Sequence, residues 1–387
     1  MSLNDPQRSI KQNSSAAQDD VRLSDLRHPA SPVVSPLLSQ LTTQLLALSS
    51  KSLISTLTQA IALLQSQRTE GVLTLPSSSL TSPHELHPLP AERNGGHVYI
   101  RSFPNRSLVV FGDTHGDLAS LLTVLSRSQF TARAERGEDI FLIGLGDYVN
   151  KGNHSLENVF TLAFLLTSPV LRGRVIPLAG NHESNVCSAK GERGKLQARF
   201  LSSLRNHRIL SLAPESEIRE AQFLFASFFD ELPLSLETSN GIFASHAGYS
   251  HRIKKCSPKD ATVQLTQWPP SRHVTEELLQ SIVTTQQEDR PDSMPFAVTR
   301  CEMFDFMQRR GAHLLLRGHQ PIPPEATRKN SEWRQGYWWL TQSQGENTRR
   351  VLTLNSYASA AIAMPAFAEI SLSSLSIGYR DCSIFTH

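Results

Sequence analysis

From residue 97 onward, short apolar runs stop repeatedly at polar, glycine-bearing residues, and this pattern constrains the fold more than any other feature of the chain. The runs are HVYI and LVVFGD within 97–113, DIFLIGLGD (139–147), RVIPLAGNH (174–182), GIFASHAG (241–248) and AHLLLRGHQ (312–320). Apolar runs of this length, bounded by glycine and polar residues, read as buried strands. Helix-like stretches lie between them, for example LASLLTVLSRS at 118–128 and SLENVFTLAFLL at 155–166. Strand and helix in alternation predict an α/β fold with layered, buried sheets, whose strand ends hold the functional groups rigidly.

The first 95 residues follow other rules. Residues 1–34 are rich in Ser, Asn, Gln, Asp and Pro and read as a disordered leader. Leu38, Leu41, Leu45 and Leu48, then Leu53, Leu57, Ile61 and Leu64, recur at helical spacing. They predict two amphipathic helices or one broken helix between Ser35 and Gln67. Residues 71–95 are proline-rich and read as a linker. The expected organisation is therefore a leader (1–34), a helical hairpin with its linker (35–95) and a main domain (96–387). The hairpin is expected to pack on that domain. A partner-binding or membrane-surface helix is the alternative, weakened by a polar face of Ser, Thr and Gln instead of Lys and Arg.

At 387 residues the chain can bury one large core or two smaller ones. A net charge of +3, with no basic block or RNA-type aromatic signature, argues against nucleic-acid binding. The four cysteines form no CxxC pair, which argues against a thiolate zinc site or a disulfide scaffold. No apolar run reaches the roughly 18 residues needed to cross a bilayer, and the N-terminus lacks a secretory apolar core. The expectation is a soluble, cytoplasmic protein, with secretion into a host cell as an effector as the alternative.

The strand ends carry Asp113, His115, Asp147, Asn181, His182, His246 and His319. A single Asp or His in such a place is usually a cap. Seven of them, drawn from carboxylates, imidazoles and one amide, suit divalent manganese, iron or zinc. Gly112, Gly116, Gly146, Gly152 and Gly180 stand beside them, where a missing Cβ allows sharp turns and close approach.

The motifs GDTHGD (112–117), GDYVNKG (146–152), GNHE (180–183), HAG (246–248) and RGHQ (317–320) occur in the order of the signature of the PPP-family metallophosphatases, and this part of the chain resembles that family. The resemblance runs from about residue 107 to 357, where VLTLNSYAS is similar to the family's last core strand and following loop. It implies a two-sheet metallophosphoesterase sandwich flanked by helices and a phosphoprotein phosphatase activity. Asp113 and His115 would hold one metal ion, Asp147 would bridge, and Asn181, His246 and His319 would hold the second. Manganese is the foremost candidate. A hydroxide shared by the ions would attack phosphorus, and His182 would protonate the leaving oxygen.

Several positions depart from the family pattern. Asn150 and Lys151 replace an Asp-Arg pair, so the resemblance implies a histidine acid without its anionic partner and a phosphate grip by a mobile point charge. Asn150 is expected to accept a hydrogen bond from His182. The family's second phosphate-binding arginine has no clear match; Arg300 is the candidate, with Arg290 as the alternative. The HAG motif and the altered pair resemble the family's bacterial branches. Glu183 and Gln320 favour a phosphoprotein phosphatase, Ser/Thr before Tyr, over a diadenosine tetraphosphate-type hydrolase; a catalytically weak phosphatase-like binding module is the reading from another class. Residues 184–240 and 249–311 supply cleft walls, FLFASFFDELP (223–233) reads as a core helix, and Tyr337 or Trp338 could edge the site.

Overall fold

The computed structural model describes residues 35–71, 73, 91–187, 195–284, 296–319, 335–344, 347–357, 365–373 and 381–386. The leader, most of the proline-rich stretch, Arg290 and Gln320 lie outside the described residues.

Two sheets face one another. The larger has the order β1 (Ala91–Asn94), β2 (His97–Ile100), β6 (Ser235–Thr238), β7 (Ile242–Ser245), β10 (Leu314–Arg317), β12 (Asn347–Leu354) and β11 (Tyr337–Gln344). The smaller has the order β14 (Cys382–Thr386), β13 (Ala366–Ser371), β3 (Ser107–Phe111), β4 (Ile140–Gly144) and β5 (Val175–Pro177). A separate pair joins β8 (Ile282–Thr284) to β9 (Ala297–Thr299). Alternate residues of the facing strands fill the core, among them Leu108 and Val110 of β3, Phe141 and Ile143 of β4, Ile242 and Ala244 of β7, and Leu314 and Leu316 of β10. The other sides of β3 and β4 are buried as well, which is why both strands read as unbroken apolar runs.

Helices complete the layers. They are α1 (Pro36–Leu46), α2 (Ser50–Glu70), α3 (Leu118–Arg127), α4 (Phe130–Glu135), α5 (Ser155–Thr167), α6 (Leu196–Ser203), α7 (Glu215–Asp230), α8 (His251–Lys255), α9 (Pro258–Thr266), α10 (Arg272–Gln280) and α11 (Arg300–Arg310). Of the four phenylalanines within 223–233, Phe225, Phe228 and Phe229 of α7 are buried and Phe223 faces outward.

The N-terminal hairpin is stitched to the rest. A capping box at Ser49 and Ser52 starts α2, and Gly71 ends it in the left-handed conformation. Its Leu53, Leu57 and Leu64 are buried, and the helix packs against α5 and α7. Each buried leucine contributes about 1.5–3 kcal/mol in favour of the docked hairpin. β1 lies before the boundary expected near residue 95, yet it pairs with β2 in the main sheet. Its Arg93 is fully buried and donates to the carbonyls of Leu64 (3.1 Å), Gly95 (3.1 Å) and Glu231 (2.5 Å). Arg68 pairs with the Glu231 carboxylate at 2.9 Å, so α2, β1 and the end of α7 meet at one polar knot.

Candidate metal centre

Strands β3, β4 and β5 run parallel, as do β7, β10 and β12. Their carboxyl ends deliver the polar residues to one cleft, the position where open α/β sheets place their sites. The turns that follow are held by contacts between them. Thr114 and His115 both donate backbone N–H groups to the carbonyl of Asp147, at 3.1 and 2.8 Å, and the His182 N–H reaches Asp147 Oδ1 at 3.0 Å. The His319 N–H reaches Asp113 Oδ1 at 3.2 Å. His115, Asp147, Asn150, Lys151 and His319 all have positive φ, between 44° and 67°. Non-glycine residues rarely adopt this region, and where they do the surroundings must hold them there. Two glycines let the turns touch. A Cβ on Gly180 would lie 2.2 Å from Asp147 N, and one on Gly318 would lie 2.2 Å from Asp113 Oδ1.

The side chains form two clusters that share one carboxylate. Asp147 Oδ2 is 3.5 Å from His115 Nε2 and 3.8 Å from His182 Nε2. Its other oxygen is 3.3 Å from His246 Nε2, which in turn is 3.2 Å from His319 Nδ1. Asp113 Oδ2 stands 3.6 Å from His115 Nε2, and Asn181 Oδ1 stands 3.0 Å from His246 Nε2. Asp113, His115, Asp147, Asn181, His182, His246 and His319 are thus brought together, as the sequence pattern predicts.

The donor chemistry fits divalent cations. His115, Asp147 and His182, and likewise Asp147, His246 and His319, each offer one ligand atom within 4.8 Å of the others. Asn181 Oδ1 also lies 3.0 Å from both carboxylate oxygens of Asp147 and from His319 Nδ1. An oxygen crowded by other acceptors calls either for a turned amide or for a cation among them. His115 and His246 each hand Nδ1 to a backbone carbonyl, of Val149 and Leu145, at 3.1 and 2.8 Å. Both Nε2 atoms therefore point inward, the orientation that outer partners impose on ligating imidazoles.

Electrostatics differ around the cleft. Burial pushes His115 down to about 3. Burial acts the same way on His246, but the Asp147 and Asp113 carboxylates outweigh it and lift that ring to about 9. Burial would raise Asp147; the imidazoles around it, His246 first, hold it well below the carboxylate range. Asp113 is pushed up to about 6 by burial. Burial likewise lowers His182 and His319.

Other predicted residues divide. Asn150 does meet His182, but its amide nitrogen faces His182 Nδ1 at 2.8 Å and also reaches the Leu196 carbonyl at 3.4 Å. It donates where acceptance was expected, which leaves the ring proton on Nε2, toward Asp147. Lys151 Nζ lies 2.6 Å from His115 Nε2. Arg300 is not at the cleft. It is the first residue of α11; its guanidinium donates to the Thr341 carbonyl of β11 and lies over Phe304. Tyr337 and Trp338 pair with Leu354 and Thr353 on the edge strand β11.

Two residues at the site had no structural role in the sequence pattern. Glu183 is fully buried behind Asp147, and its carboxylate accepts the N–H groups of Asp147 (2.8 Å), Tyr148 (2.8 Å) and Gly180 (2.9 Å). Burial pushes it up to about 8. Tyr357, following β12, sets its ring edge-on to His115 at 5.6 Å.

Paired sheets with a shared carboxylate among imidazoles define a metallophosphoesterase. The chain belongs to the calcineurin-like phosphoesterases, whose family model matches residues 106–323. A probable serine/threonine-protein phosphatase of Encephalitozoon cuniculi (strain GB-M1) is 27% identical over 225 residues, 56% of this chain and 42% of that protein. The Shewanella-like protein phosphatase 1 of Plasmodium berghei (strain Anka) is 26% identical over 167 residues, 41% of this chain and 44% of the relative. The chain thus spans less than half the length of these two curated relatives. A solved serine/threonine phosphatase from Saccharomyces cerevisiae, described as similar to human phosphatase PP5, shares the fold with a TM-score of 0.57 at 15% identity, covering 88% of this chain and 90% of that one.

Proposed function

We propose that this chain hydrolyses phosphomonoesters on proteins, phosphoserine and phosphothreonine before phosphotyrosine, at a centre for two divalent metal ions. The observation that carries this reading is Asp147, whose Oδ2 lies within 4 Å of His115 and His182 while its Oδ1 lies 3.3 Å from His246. Asp113 and His115 would hold the first ion, Asn181, His246 and His319 the second, and Asp147 both. When bound, such ions supply Lewis-acid charge and a water activated as nucleophile.

The protein groups complete the chemistry. His182 presents its Nε2 proton to the cleft, because Asn150 occupies Nδ1 as a donor. That proton is the one placed to meet the leaving oxygen. Lys151 supplies a flexible positive charge for the phosphate in place of a planar fork. Glu183 holds the Asp147 and Gly180 turns in register, which keeps the shared carboxylate aimed at both halves. The serine/threonine preference draws on the names of the relatives.

The test is initial rate on phosphoserine, phosphothreonine and phosphotyrosine peptides and on diadenosine tetraphosphate, with metal-stripped protein supplied with Mn²⁺. Metal-dependent peptide turnover that vanishes in Asp147→Ala is expected. Turnover confined to the dinucleotide would replace the phosphoprotein reading with nucleotide hydrolysis, and no turnover at all would favour a binding role.

A further inference from the structure

His182 is held from two directions. Its backbone N–H is pinned to Asp147 Oδ1 at 3.0 Å. On the other side stands α6, anchored at its own base, where the buried Phe200 lies 5.1 Å from Phe225 and 5.7 Å from Phe229 of α7. The first turn of α6 reaches His182 at two points. The Leu196 carbonyl accepts from Asn150 Nδ2 at 3.4 Å, and the same nitrogen faces His182 Nδ1 at 2.8 Å. Beside it, the buried Gln197 donates from Nε2 to the backbone carbonyl of Glu183, the residue after His182, at 2.9 Å.

These contacts fix the ring's tautomer as well as its place. An amide nitrogen has two protons, one for the Leu196 oxygen and one for the ring nitrogen, whereas an amide oxygen in that position would face another acceptor. The Leu196 carbonyl thus makes Asn150 a donor and leaves the ring proton on Nε2. Resting on the phosphatase reading above, we infer that α6 positions the acid and that Gln197 is its positioning residue. Gln197 acts through the 182–183 backbone, which sets the direction of Nε2. As the ester P–O bond breaks, its electron pair goes to the leaving oxygen, which takes the Nε2 proton. The attacking water supplies the hydroxyl on phosphorus and the proton that restores the ring. A ring no longer held in line delivers its proton late, and that costs rate only where the leaving oxygen is strongly basic.

The experiment compares the wild-type protein with Gln197→Met, both full length and Mn²⁺-loaded, on a phosphoserine peptide and on p-nitrophenyl phosphate. Serine leaves as a basic alkoxide that needs the proton; nitrophenolate leaves as a stable anion that does not. In the variant, kcat on the peptide is expected to fall about tenfold to a hundredfold with KM within about twofold, while kcat on p-nitrophenyl phosphate falls less than about threefold. Unchanged peptide turnover, or an equal fall on both substrates with Mn²⁺ retained, would overturn the inference and leave the phosphatase reading standing. No metal-dependent turnover of either substrate by the wild-type protein would overturn that reading and the inference with it. A second measurement needs no variant. In zinc-loaded wild-type protein with ¹⁵N-labelled histidine, NMR should find the His182 proton on Nε2, and a proton on Nδ1 would overturn the role given to α6.

Discussion

The two halves of the cleft use the same kinds of side chain and balance their charge in different ways. Around His115, burial keeps the ring neutral and the nearby positive charge is Lys151. Around His246, the carboxylates lift the ring to about 9, so the positive charge is a proton on the imidazole itself. One half carries its positive charge on a lysine beside the ring, the other on the ring itself. Similar ligands therefore need not load alike, because what a metal must displace differs from one half to the other.

The most severe test of that comparison removes what the halves share. Asp147→Ala should lower turnover to background and strip both positions of bound Mn²⁺, as read by metal content after desalting. His182→Ala should separate chemistry from binding, cutting the rate by about 10² to 10⁴ while metal content is kept. A third measurement reads the two kinds of charge directly. Ligation requires a neutral imidazole, and His246 with its pKa lifted to about 9 is protonated at pH 7.5, whereas His115 at about 3 is not. Filling the second position at pH 7.5 should thus release about one proton, and filling the first close to none, by calorimetry in buffers of different ionisation enthalpy. The release should fade as pH rises through 9. Below pH 6, protonation of Asp113 adds a further competing proton and apparent affinity should drop. The smallest effect is expected from Asn150→Asp. A carboxylate beside His182 Nδ1 accepts where the amide donates and favours the charged ring, so the pKa of His182 should rise by about one unit, as read by NMR titration.

Much of this site was legible in the chain because ligands that close strands have no choice of place. Asp113, Asp147, His246 and His319 each follow an apolar run by a few residues, and parallel strands carry all of them to one end. What depended on a side chain's own reach was not legible. Arg300 stands at the start of a helix in sequence, but the direction of its guanidinium is set by β11, whose Thr341 carbonyl, 41 residues on, it finds. The donor role of Asn150 depends on a carbonyl from α6, which no local pattern announces. Glu183 could have been suspected: an acid directly after the histidine of GNHE, four residues beyond the apolar run RVIPLA, is placed to be buried and must then find donors. The boundary near residue 95 misled because AERN in β1 is polar by composition, while Arg93 buries its charge against three carbonyls.

Arg93 has a consequence for how the molecule opens. Freeing α2 would strip a buried guanidinium of the Leu64 carbonyl and leave that N–H unpaired, with Arg93 still held by the Gly95 and Glu231 carbonyls, until the sheet edge followed. Helix and sheet should therefore share one opening event. Amide protons of α2 are expected to exchange with deuterium as slowly as those of β1 and β2, and Arg93→Met should let the helix exchange independently of the strands.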